Sequence, residues 1–161
     1  QRRLAAKQAL KCPPVILDGH QARAIAIGFG RASAEHGFAI HACAILPEHC
    51  HLVIAPNGSS PGQIIGQLKR HAGDALVEAR MHPLAAFARP GERPPLCFVR
   101  RGWKVYLDHV TDVRRAIRYV ENNPLKERLR PQRWSMVRAF DASVAVDIRA
   151  QRRTRRFPSG G

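Results

Sequence analysis

The sequence predicts a small mixed α/β domain of the α+β kind, an antiparallel sheet flanked by helices. Three observations point there. Apolar residues recur at helical spacing in three separate stretches, and two short apolar runs sit on either side of a Pro-containing turn. The length, 161 residues with 45% hydrophobic content, is that of one ordinary domain with a core of its own.

Residues 1–14 are basic and irregular, and because the chain begins with Gln a shortened domain start is expected. The folded unit is expected to span residues 15–140. In "DGHQARAIAIGFGRASAEHG", Ala22, Ile25, Ala26, Phe29 and Ala32 form one helical stripe, with Asp18 as the cap and Gly37 as the stop. "FAIHACAI" and "HCHLVIAP" read as strands joined through "LPEH" into a hairpin. "SSPGQIIGQLKRHAGDALVEARM" opens with Ser and Pro in the cap and first-turn positions. It repeats apolar residues at Ile64, Ile65, Leu68, Ala72, Ala75 and Leu76, and it carries Lys69, Arg70 and His71. Residues 82–95, rich in Pro, Gly and Arg, read as a long mobile connection. "LCFVRRGWKVYL" looks like a β-run broken at Gly102. In "TDVRRAIRYVENNP", Thr111 is placed to cap a helix and Asp112 suits its first turn. Val113, Ile117 and Val120 point inward there, and Pro124 ends the helix. Residues 141–161 form a basic tail with five arginines in "RAQRRTRRFPSGG", expected to be flexible and open to phosphates, Arg152 and Arg153 among them.

Charge narrows the partners. There are 27 Lys and Arg against 12 Asp and Glu, a net charge of +15. Such an excess within a foldable sequence points to a polyanion, nucleic acid first. A membrane surface ranks second, since no long amphipathic helix combines a lysine face with large apolar anchors. No apolar stretch reaches the roughly 18 to 20 residues that cross a bilayer, and the N-terminus is too charged for a signal-peptide core. A cytoplasmic, nucleoid-associated location is therefore expected. Cys12, Cys43, Cys50 and Cys97 show no CxxC pairing and read most simply as buried thiols. A zinc site pairing Cys43 with His41, or using Cys50, is the lesser alternative.

Two constellations carry chemistry. His49 and His51 are two residues apart on a strand, so both face one way while Cys50 faces the other. Two neutral imidazoles on one face can share a divalent ion, or they can simply make a polar strand face. Tyr119 and Asn123, four apart on a helix, also share a face, with Arg115 one turn upstream and Arg114 and Arg118 as neighbours. The plain alternative is a tyrosine at the rim of the core.

At these residues the chain resembles a known family. "LPEHCHLVI" is similar to the His-hydrophobe-His strand of the HUH single-tyrosine transposases, and "YVENNPLKERL" is similar to the tyrosine helix of their REP-associated branch. The order matches as well: histidine hairpin, basic helix, variable loop, the Trp-containing "RGWKVYL", tyrosine helix, then "RWSMV". The resemblance covers residues 14–137. It implies a ferredoxin-like HUH endonuclease fold, here without the family's N-terminal strand. It implies that His49, His51 and Asn123 hold Mg²⁺ or Mn²⁺ and that Tyr119 is the nucleophile. The expected substrate is single-stranded DNA bearing a hairpin, a REP-like sequence or element end. It would be cut and rejoined through a 5′-phosphotyrosine during DNA transposition, with a homodimer as the working form. Lys69, Arg70, Arg114, Arg115, Arg118, Arg152 and Arg153 are the expected DNA contacts, Lys69 or Arg115 also favouring the phenolate. Glu48 departs from the family, where Asn or Asp is usual. Two rival readings are a catalytically silent nucleic-acid-binding protein of the same fold and a zinc-stabilised basic module using His41, Cys43 and the histidine pair.

Overall fold

A computed structural model describes residues 12–55, 57–99 and 102–143. Arg152 and Arg153, with the rest of the tail beyond residue 143 and residues 1–11, lie outside the described residues. The described chain is a mixed α/β fold of three helices and a two-stranded antiparallel sheet.

Local sequence signals set the helix ends. Helix α1 (Gly19–His36) starts at a capping box: the Gln21 N–H donates to the Asp18 carboxylate at 2.8 Å, and the Asp18 N–H donates back to the Gln21 side chain at 3.0 Å. It stops at Gly37, whose φ of 70° is open to glycine at little cost, and the Gly37 N–H reaches the Ser33 carbonyl at 3.0 Å. Ser60 and Gln63 make the same box ahead of α2 (Pro61–Glu78).

Strands β1 (Ile40–Ile45) and β2 (Cys50–Ile54) pair as the expected hairpin, and the register breaks between Ile40 and Ala42. His41 is the extra residue of that bulge, so Ile40 joins Cys43 and Ile45 on one face although their numbers differ in parity. This face, with Cys50, Leu52 and Ile54 opposite on β2, shares the main core with α1 and α2 through Ile25, Phe29, Leu68 and Leu76. The other face presents Ala42, Ala44 and Val53 to α3 (Val110–Lys126), through Val113, Ala116, Ile117 and Val120. The sheet thus separates α1 and α2 from α3.

The free edge of β1 is covered by the chain that follows α3. Gln132 stands in for a neighbouring strand: its carbonyl accepts from the Ile45 N–H at 2.8 Å and its amide donates to the Ile45 carbonyl at 2.7 Å. Further along, the Arg138 N–H donates to the Ile40 carbonyl at 2.8 Å. Gln132→Ala would orphan two backbone groups of a buried residue. It is expected to cost about 2 kcal/mol, read as a shift of the urea midpoint at unchanged slope.

Several expectations need correction. The β-run expected at residues 96–107 forms no strand among the described residues. No strand edge meets it, and a strand without a ladder partner is not stable alone. Leu96, Val99, Trp103, Val105 and Tyr106 stand in solvent, Trp103 at 95% exposure, while Cys97, Phe98 and Leu107 rest against the cores. Thr111 is not the cap of α3; His109 precedes the first turn, and Thr111 lies inside it. Pro124 does not end the helix, which runs on to Lys126. In the last turn a proline forfeits only one helical hydrogen bond, and here its fully buried ring offsets that loss. On α2, Ile65 is only half-buried, whereas His71 is buried against α1.

Candidate functional site

The face of the sheet under α3 assembles residues that are about seventy positions apart in the chain. His51 lies opposite Ala44 on the ladder, and small Ala44 and Ala42 leave room for α3 to approach. The His49 and His51 rings meet edge to face, with centroids 4.8 Å apart and an interplanar angle of 88°. Tyr119, half-exposed on α3, meets His51 in the same manner at 5.8 Å and 82°. Asn123, one turn further along α3, is buried, and its Nδ2 has no hydrogen-bond partner among the described residues.

Two residues absent from the sequence reading complete this cluster. Glu127, capping the end of α3, places Oε1 3.9 Å from His49 Nε2. Lys126 holds its ammonium 4.3 Å from the centre of the Tyr119 ring. A signal existed for the first: Tyr119, Asn123 and Glu127 are spaced at i, i+4 and i+8, one continuing helix face across Pro124.

The electrostatics favour neutral imidazole at the strand. Burial chiefly, and His49 secondarily, hold His51 below the ordinary histidine range, while Glu127 pulls the other way. The native protein therefore resists protonation at His51 more than the unfolded chain does. The stability tied to this is fully present above about pH 6.5 and declines as the pH falls toward the lower native value. By NMR titration the His51 midpoint is expected below about 6.5, lower still in Glu127→Gln and higher in His49→Asn. A midpoint that ignores both changes would break the proposed coupling.

The basic residues divide between the two layers. A shallow cleft of about 280 Å³ beside α3 is lined by Arg114, Ile117 and Arg118 from the helix and by His41, Arg138 and Phe140. Guanidinium groups next to an aromatic ring suit a polynucleotide, whose phosphates and bases they meet separately. Arg115 is largely exposed, 3.3 Å from Asp112. Lys69 and Arg70 lie on α2, on the other side of the sheet from Tyr119. Lys69 is partly desolvated, which lowers its pKa, and donates to the Val99 carbonyl at 2.5 Å. The cation beside Tyr119 is Lys126, not Lys69.

The thiols are not assembled with the histidines. Cys43 faces the main core, away from His51, and His41 is engaged with the Arg138 carbonyl at 3.0 Å and with the edge of Phe140. Burial pushes all three inner thiols up, Cys50 to about 12. Among the described residues no helix is long and apolar enough to cross a membrane. No family model matches the chain, and neither a curated protein nor a solved structure does.

Proposed function

We propose that this protein is a divalent-metal-dependent transposase that cuts and rejoins single-stranded DNA through Tyr119. The observation that carries the reading is the meeting of the Tyr119 ring with the His49 and His51 pair, on an arginine-flanked helix. A half-exposed tyrosine against paired imidazoles is an unusual use of a core-facing helix, and phosphodiester transfer explains it.

The residues present fit Mg²⁺ or Mn²⁺. Two imidazoles, of which His51 is held neutral, and a nearby Glu127 carboxylate make a mixed nitrogen and oxygen donor set; Asn123 would join it through Oδ1, since its unpartnered Nδ2 is an N–H donor that suits a phosphate oxygen. When bound, such an ion neutralises charge on the non-bridging phosphate oxygens. Tyr119 Oη attacks phosphorus; the new Tyr–O–P bond replaces the P–O3′ bond, the phenolic proton leaves to solvent, and the departing O3′ takes one up. Lys126 stacks its ammonium over the Tyr119 ring and brings a positive charge to the site. Because one phosphoester replaces another, a 3′-OH can reverse the step without ATP. Arg114, Arg118 and Arg138 neutralise the backbone of the strand, and a homodimer would supply two such sites for two ends.

The test is covalent capture. Purified protein with 5′- and 3′-labelled single-stranded hairpin DNA and Mn²⁺ should yield a band stable to denaturing electrophoresis, with the DNA-linked peptide mapping to position 119. Linkage at another residue, or tight salt-dependent binding with no adduct on any hairpin, would replace this reading with that of a silent binder.

A further inference from the structure

A second cluster lies on the opposite side of the sheet, where the end of α1 crosses the middle of α2. His36 Nε2 and His71 Nε2 are 3.4 Å apart, and the two Glu35 carboxylate oxygens lie 3.5 Å from His36 Nε2 and 3.3 Å from His71 Nε2 respectively. One ligand atom from each of the three residues falls within 4.8 Å of the others, the one such group of three His, Cys, Asp or Glu among the described residues. Tetrahedral zinc with bonds of about 2.0 to 2.1 Å sets its ligand atoms about 3.4 Å apart. The histidine nitrogens are therefore already at ligand spacing, and Glu35 reaches each of them with a different oxygen.

Arg70 marks the position a cation takes. Its Nη2 lies 2.8 Å from His71 Nε2 and 3.4 Å from both His36 Nε2 and Glu35 Oε1. A guanidinium only donates, so its contact at 2.8 Å calls for a lone pair on His71 Nε2, the form in which an imidazole ligates a metal, while Glu35 Oε2 at 3.3 Å competes for a proton on the same atom. The His71 side chain is only 9% exposed, which fixes that lone pair in place, while Arg70 is half-exposed. Arg70 also has a refuge: its Nη1 is 3.9 Å from Asp74 Oδ2, one turn further along α2.

We propose that Glu35, His36 and His71 form a Zn²⁺ site, closed by displacement of Arg70 toward Asp74, that ties the end of α1 to α2. Two imidazole nitrogens and one carboxylate at near-tetrahedral spacing suit zinc. Three protein ligands leave a fourth position for water. The site owes nothing to the chemistry at Tyr119 and stands whether or not that reading does.

The test uses the full chain, stripped with chelator and titrated with ZnCl₂, in a His49→Ala/His51→Ala background that removes the other histidine pair. One zinc per chain is expected by calorimetry and elemental analysis, and a hundredfold excess over Kd should raise Tm by roughly 5 to 10 °C. Glu35→Gln with His36→Asn should weaken binding by about 100-fold or more. Those two side chains are more accessible than His71, so circular dichroism of that variant serves as the folding control. Arg70→Ala should tighten zinc severalfold, whereas an arginine-centred hydrogen-bond network would only lose stability. A folded background protein that binds no zinc, or zinc retained in full by the Glu35→Gln/His36→Asn variant, would overturn the assignment.

Discussion

An alanine at position 28 is expected to destabilise the protein by about 2 kcal/mol or more, although Gly28 lies in the middle of a helix where alanine is normally the better residue. A Cβ at Gly28 would sit 2.5 Å from the His71 carbonyl oxygen and 2.7 Å from both the Cα and the N of Ala72. All three are backbone atoms of α2, so no rotamer change relieves the clash. The helices must separate instead, loosening Ile25, Phe29, Leu68 and Ala72, which they share in the core. The intrinsic gain of about 1 kcal/mol for Gly to Ala in a helix is smaller than this cost. Gly66 is the internal control. It lies on α2 with nothing within 4 Å of its would-be Cβ, so Gly66→Ala should stabilise by about 0.5 to 1 kcal/mol. Urea unfolding of both variants gives opposite signs if α1 and α2 approach as described. Equal or greater stability for Gly28→Ala would show that they do not.

Tyr119→Phe is expected to abolish covalent capture and to lower strand cleavage roughly 10⁴-fold or more, the scale on which removal of an attacking residue acts in covalent enzymes. The substitution removes one oxygen from a half-exposed ring and keeps its edge contact with His51, so folding should be untouched. Affinity for single-stranded DNA should stay within about twofold, because the proposed contacts are Arg114, Arg118 and Arg138, which line the cleft beside α3. A Phe variant that still forms the adduct would remove Tyr119 as nucleophile whatever the fate of the metal. A variant that loses cleavage and binding together would make Tyr119 a DNA contact and not the attacking group.

Much of the local structure was legible along the chain. Asp18 with Gln21 and Ser60 with Gln63 are contacts across three residues, and the stripe of Ala22, Ile25, Ala26, Phe29 and Ala32 is a periodicity any single helix displays. The hairpin and the shared face of His49 and His51 follow from the two-residue period of a strand. Less legible was the span of residues 96–107, apolar and alternating enough to read as a strand, because strand formation depends on a partner edge that pattern alone does not supply. Pro124 misled for a related reason: its local rule is to stop a helix, and the burial of its ring decided otherwise. Glu127 lay hidden behind that proline.

By itself, the sequence determined the α+β class, the starts of α1 and α2, the hairpin and the basic character, because capping, periodicity and charge act between near neighbours. Tertiary structure decided which helix lies on which side of the sheet. That choice put Tyr119 and Lys126 with the histidine pair, and it put Lys69 and Arg70 away from them. It also turned His71, which on sequence was one more polar residue in a basic run, inward against Glu35 and His36. Burial and the meeting of distant side chains depend on how layers stack, and stacking is a property of the whole chain.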